Sequence, residues 1–126
     1  MLDFIYEQIN SCTSPEEIYI CIINLGKQAQ KLDEIHKTNQ NQVSGCQSQV
    51  WLISKEQDDR IYFYGDSDSL LVRGLVFITT NFFSGKIYSE IQNTEPIFVS
   101  ELRLEDYLTA GRVNGLHQVI KKIRSI

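Results

Sequence analysis

Apolar positions along the chain change period several times, and the changes divide it into helices and strands. Residues 2–10 carry Leu2, Ile5, Tyr6 and Ile9 at helical spacing, which predicts a short amphipathic helix. Ser14-Pro15-Glu16-Glu17 is a helix start. Ser14 caps, Pro15 suits the first helical position, and Glu17 completes a capping box. That helix runs to about Gln28, with Ile18, Cys21, Ile22 and Leu25 as its core stripe. Residues 27–42 are mostly polar, with Leu32 and Ile35 isolated among them, and read as a long surface connection holding one helical turn. Residues 49–55 are rich in strand formers: Val50, Trp51, Leu52 and Ile53. Residues 60–64 alternate, Ile61 and Phe63 on one face, Tyr62 and Tyr64 on the other. With the polar turn Glu56-Gln57-Asp58-Asp59 between them, the two runs form an antiparallel hairpin. Residues 41–44 are placed beside it as a short third strand.

Gly65-Asp66-Ser67-Asp68 reads as a helix entry, with Asp66 or Ser67 as the cap. Residues 70–83 are then almost wholly apolar, Arg73 and Asn81 excepted, so this helix is buried on most sides and lies across the hairpin. Gly74 weakens it, and close approach of another element is the reason to keep a glycine there. Ser84-Gly85 ends it. Residues 86–108 break into short helical pieces around Pro96. Thr109 caps a last helix to about Arg124, with Val113, Leu116, Ile120 and Ile123 inward and His117, Lys121 and Arg124 outward. The predicted class is α+β: a small antiparallel sheet of about three strands covered by helices.

A length of 126 residues fits a single domain, 1–126, and 42% hydrophobic with 22% charged residues is the balance of a folded globular chain. Net charge is −4, from 12 basic and 16 acidic residues, which disfavours a phosphate backbone as ligand. No acid follows Asp106, whereas Arg112, Lys121, Lys122 and Arg124 do; cations suit the C-terminal end of a helix. No apolar run reaches the ~18–20 residues of a membrane span. Met1-Leu2-Asp3-Phe4 has no basic flank of a secretory signal, so the expected compartment is the cytoplasm.

The three cysteines, Cys12, Cys21 and Cys46, are irregularly spaced and make no disulfide framework. No Cys-x-x-Cys is present, the two histidines, His36 and His117, lie far apart, and no metal site is expected. Cys21 sits in a core stripe as a small hydrophobe, and Cys12 precedes a helix cap. Cys46 differs. It follows Gly45 at the mouth of a strand, among Gln47, Ser48 and Gln49, whose side chains and turn amides can stabilise a thiolate. Two readings stand: an inert thiol at a strand end, or a reactive one. A reactive Cys46 of the Cys-His hydrolase type needs His36 or His117 as base. A dithiol exchanger needs Cys12 or Cys21 as resolving thiol. A lone thiol that accepts persulfide sulfur from a partner needs neither.

Gly45-Cys46-Gln47-Ser48-Gln49-Val50-Trp51 resembles the signature of the SufE family of sulfur acceptors. Gly65-Asp66-Ser67-Asp68 followed by Val72-Arg73-Gly74-Leu75 is similar to a second family block, and Gly111-Arg112-Val113-Asn114-Gly115-Leu116 to a third. Tyr107 stands where many members have histidine, and Ala110-Gly111 replaces Pro-Ser. The resemblance implies a fold akin to the IscU-type iron–sulfur scaffold. It implies a persulfide carrier and activator, rather than an independent enzyme, that takes sulfur from a SufS-like cysteine desulfurase. Delivery is then to a SufBCD-like iron–sulfur scaffold complex. Pyridoxal phosphate belongs to that desulfurase, so the chain itself has no cofactor; no nucleic acid and no membrane is involved. Cys46 is the family's accepting thiol. Gly45, Gln47, Ser48 and Gln49 form its loop, and Asp68 and Arg112 match positions associated with the resting loop and the partner surface. The alternatives are a CsdE-type partner of another desulfurase, an activator that carries no sulfur, and a self-sufficient thiol enzyme.

Overall fold

The computed structural model describes residues 1–126. In chain order the elements are α1 (Leu2–Asn10), α2 (Pro15–Gln28), a 3-10 turn (Glu34–His36), β1 (Val50–Gln57), β2 (Arg60–Ser67) and α3 (Leu70–Phe83). Then follow β3 (Lys86–Ile87), α4 (Tyr88–Asn93), α5 (Phe98–Glu101), α6 (Leu104–Tyr107) and α7 (Ala110–Arg124). The fold is α+β, as the periodicity implies.

Each long helix begins where a side chain can take an orphan amide. Ser14 accepts from Glu17 N–H, Ser69 from Val72 N–H and Thr109 from Arg112 N–H. Ser69, not Asp66 or Ser67, caps α3: β2 continues through those residues, with Gly65, Asp66 and Ser67 facing Leu52, Trp51 and Val50. The β1–β2 turn is tighter than the four polar residues suggest. Gln57 pairs with Arg60, leaving Asp58 and Asp59 alone at the corner, both at positive φ. That is the backbone of a two-residue hairpin turn, whose twist matches the strands it joins.

The sheet is antiparallel in the order β1-β2-β3. Its third strand is Lys86–Ile87, on the free side of β2, rather than residues 41–44. Two residues carry no detectable period, so nothing in the sequence marks this strand. Residues 41–44 do touch the opposite edge, through one isolated bridge, Gln42 to Trp51. Val43 N–H donates to Val50 O (2.8 Å) and Leu52 N–H to Asn41 O (2.8 Å).

One core of 25 buried apolar residues joins the elements. α3 is its hub, packed on β2, α2 and α7. Between α2 and α3 the backbones touch: a Cβ on Gly26 would lie 2.7 Å from Gly74 N, and one on Gly74 would overlap Ile22 O. From α7, Leu116, Val119, Ile120 and Ile123 are buried, while Val113 is half-buried. Arg124 does not point outward. Its guanidinium donates to Thr94 O, and its own carbonyl accepts from Gln92, tying α7 to the end of α4. Lys122 donates to Gln40 O (3.2 Å). Two of the four late cations are thus internal fastenings rather than a free basic surface. No helix is long and apolar enough to cross a membrane.

Candidate functional site

Cys46 lies on the turn that leads into β1, and three elements hold that turn. Gly45 adopts φ +82°, closed to most other residues, which lets the chain reverse just before the cysteine. On one side is α7. Asn114 Nδ2 donates to Gly45 O (3.2 Å), and the Gln118 side chain lies against Gly45. The Gln47 side chain rests on Gly111, and Gly115 leaves room for the Cys46 sulfur. Residues 111, 114, 115 and 118 share one face of a helix by the i, i+3, i+4, i+7 rule, so a single stripe of α7 receives the whole turn. On the other side is the β2–α3 junction. Gln49 N–H donates to Asp68 Oδ1 (3.1 Å), Asp68 N–H donates to Gln49 O (3.3 Å), and Ser67 Oγ donates to the same carbonyl (2.8 Å).

The sulfur faces a cavity of about 60 Å³ between α3 and α7. Val72, Leu75, Val76 and Thr79 of α3 line it, with Leu116 and Val119 of α7. Gln47, Ser48 and Arg112 stand at its edge. A single water needs roughly 10–15 Å³ of such space, so one further sulfur atom fits beside Cys46. Cys46 is half-buried, and its Sγ–H points at Gly115 O at 3.8 Å. Burial disfavours the thiolate and raises the Cys46 pKa above that of a free thiol.

The geometry separates the site residues expected from sequence. Cys46, Gln47, Ser48 and Arg112 gather on the cavity, and Gly45 supplies the turn. Gln49 and Asp68 bond to each other, anchoring the turn's far end. The arginine's backbone amide goes to the Thr109 cap and its guanidinium makes no ion pair. Asn114 and Gln118 carry parts that sequence reasoning did not assign; their spacing from Gly111 and Gly115 was the available signal.

No base and no second thiol lines the cavity. His117 Nε2 sits 3.5 Å from Glu105, in another groove, and His36 lies in a third. Cys12 and Cys21 line a fourth. The self-sufficient thiol enzyme therefore lacks its base and its resolving cysteine. No group of three potential metal ligands occurs anywhere in the chain.

A SufE profile, described as an Fe-S metabolism associated domain, matches residues 3–126. The chain belongs to the SufE family. A SufE-like protein of Rhizobium meliloti (strain 1021) is 36% identical over 129 residues, covering 98% of this chain and 92% of its own. The cysteine desulfuration protein SufE of Wigglesworthia glossinidia brevipalpis is 37% identical over 121 residues, covering 94% and 83%. A hypothetical protein from Thermus thermophilus, solved in solution, shares the fold: TM-score 0.75 over 98% of this chain and 90% of that one, at 14% identity. A serine in place of Gly111 would put a Cβ 2.9 Å from Gln47 Nε2. The obstacle is the tip of a flexible side chain, so the turn tolerates either residue.

A kinetic expectation follows from the raised thiol pKa of this SufE protein. Iodoacetamide reacts with the thiolate, so the Cys46 pH–rate profile is expected to have its midpoint above that of a free small thiol. At neutral pH the rate falls below the free thiol's and rises on unfolding in urea. Mass-spectrometric alkylation rates at Cys46 measure this; a midpoint at or below the free-thiol value contradicts the shielding.

Proposed function

We propose that this SufE-family chain is a sulfur acceptor and carrier, with Cys46 as the accepting thiol. The thiolate of Cys46 attacks the terminal sulfur of a persulfide on a cysteine desulfurase. One S–S bond forms on Cys46, the partner's S–S bond breaks, and the partner leaves as a thiolate that takes up the proton Cys46 lost. The exchange involves no net oxidation, so it requires no electron carrier and no metal. The observation that carries this reading is the cavity beside a lone thiol. It has space for the added sulfur between largely apolar faces of α3 and α7, and no second cysteine lines it to discharge the sulfur as a disulfide.

The desulfurase donor is supported by the name of the Wigglesworthia relative, a cysteine desulfuration protein, and iron–sulfur assembly as destination by the family description. The donor supplies the pyridoxal phosphate. The recipient is a scaffold complex whose own thiols repeat the same exchange, and stimulation of the donor follows from removal of its product sulfur. Asp68 and Arg112 are read as the residues that hold the resting turn and meet the partner. Asp68 fastens Gln49, and Arg112 leaves an unpaired cation at the cavity mouth.

The test is intact-mass spectrometry after mixing the protein with a cysteine desulfurase and L-cysteine, without reductant. The protein is expected to gain the mass of one sulfur atom, mapped to Cys46, and Cys46→Ser to gain none. Sulfur found on Cys12 or Cys21 of the unsubstituted protein, with Cys46 unmodified, overturns the assignment.

A further inference from the structure

The other two cysteines are not independent. Cys12 lies in the linker of residues 11–14, just beyond α1, where its thiol donates to Gln8 O at 3.4 Å. Cys21 lies on α2. Both are part-exposed and line one surface groove, together with Gln8, Glu17 and Asn24. Cys12 reaches that groove from the linker and Cys21 from α2. Sequence alone did not pair them: one is a core-stripe position and the other a pre-cap position, nine places apart.

We propose that Cys12 and Cys21 form a dithiol site that low-molecular-weight disulfides of the glutathione type oxidise reversibly to an intramolecular disulfide, clamping the end of α1 to α2. Burial and the neighbouring Cys12 raise the Cys21 pKa to about 11, so Cys21 keeps its proton and Cys12 is the attacking thiol. The Cys12 thiolate attacks one sulfur of the small disulfide. A Cys12 mixed disulfide forms and one small thiol leaves. Cys21 then loses its proton and attacks the Cys12 sulfur, expelling the second small thiol. The protein loses two hydrogens and two electrons, and the small disulfide gains them. A disulfide brings the two Cβ atoms to about 3.8 Å. Both residues open on the same groove and Cys12 lies outside both helices, so rotation about the side-chain bonds and a movement of the linker bring the two sulfurs together. Cys46 lies in a separate cavity, so the site is independent of the sulfur-acceptor reading.

The experiment uses the Cys46→Ser full-length chain, in which Cys12 and Cys21 are the remaining thiols, equilibrated with oxidised and reduced glutathione. Peptide mapping without reductant is expected to recover a Cys12–Cys21 cross-link that dithiothreitol reverses. The disulfide should be at least about tenfold more favoured in the folded protein than in denaturant, the mark of thiols held together by the fold. With Cys21→Ser added, the reaction should stop at a glutathione adduct on Cys12. A stable adduct on the Cys46→Ser protein without closure, a disulfide between two chains, or equal closure in folded and unfolded protein overturns the proposal.

Discussion

Replacing Gly74 with alanine is expected to lower the thermal midpoint on the order of 10 °C, a loss of about 3 kcal/mol. The reason is where α2 and α3 cross. A Cβ at position 74 would overlap the Ile22 carbonyl oxygen and lie 2.7 Å from Ile22 Cγ2. The first obstacle is backbone inside a helix, so no rotamer change relieves it, and the helices must separate. Their separation loosens the packing of Ile22, Leu25, Leu71 and Leu75, all buried. Alanine's better helix propensity returns only ~1 kcal/mol. Gly115→Ala provides the contrast. Its Cβ would lie 3.7 Å from the Cys46 sulfur, an ordinary contact, so the propensity gain is unopposed and stability should hold or rise. Denaturant titrations of the two variants measure both effects. Equal effects would show that the crossing is not sterically limited.

That glycine also marks what the sequence makes legible. Gly74 interrupts an apolar helix, and close approach of another element was the physical reason available for it; the structure shows that element to be α2. Caps at Ser14 and Thr109 were readable because local side-chain chemistry fixes them, and the C-terminal ends of α2, α3 and α7 because the apolar pattern stops there; the start of α3 was not, because β2 runs on through Ser67. The turn at Cys46 was readable because a glycine at positive φ precedes it. The cavity beside Cys46 was not. Its walls come from α3 and α7, far apart in the chain, and their spacing depends on tertiary packing. Arg124 was misplaced for a similar reason: helical phase sets its direction, but its bond to Thr94 depends on where α4 ends. β3 lay below any periodic signal because it contains two residues.

Asp66 is the misreading with the largest energetic consequence, and its substitution is expected to be the more damaging of the two. As a helix cap it would be exposed and worth about 1 kcal/mol. Instead it is 1% exposed, near the end of β2, with Oδ1 3.0 Å from Nε of buried Arg73 on α3. Its Oδ2 lies 3.6 Å from Lys37 Nζ and accepts from Leu32 N–H at 3.1 Å. One carboxylate therefore joins the sheet, the hub helix and the long connection before Cys46. Asp66→Asn leaves the Arg73 guanidinium buried without a counter-charge, and removing one partner of a buried pair costs about 3–5 kcal/mol. Most of that is the penalty on Arg73 rather than the value of the pair. Asp66→Asn combined with Arg73→Met should therefore recover much of the loss, because the stranded charge is gone. Denaturant titrations of the single and double variants test this: additive losses would mean that the two charges do not depend on each other. Hydrogen exchange adds a local readout. In Asp66→Asn the Leu32 amide loses an ionised acceptor and Lys37 its contact with the buried carboxylate, so exchange at Leu32 should accelerate beyond the change in global stability. The same connection leads through Val43 to the edge of β1 and on to Cys46. The buried carboxylate thus supports one approach to the thiol-bearing turn without touching the sulfur.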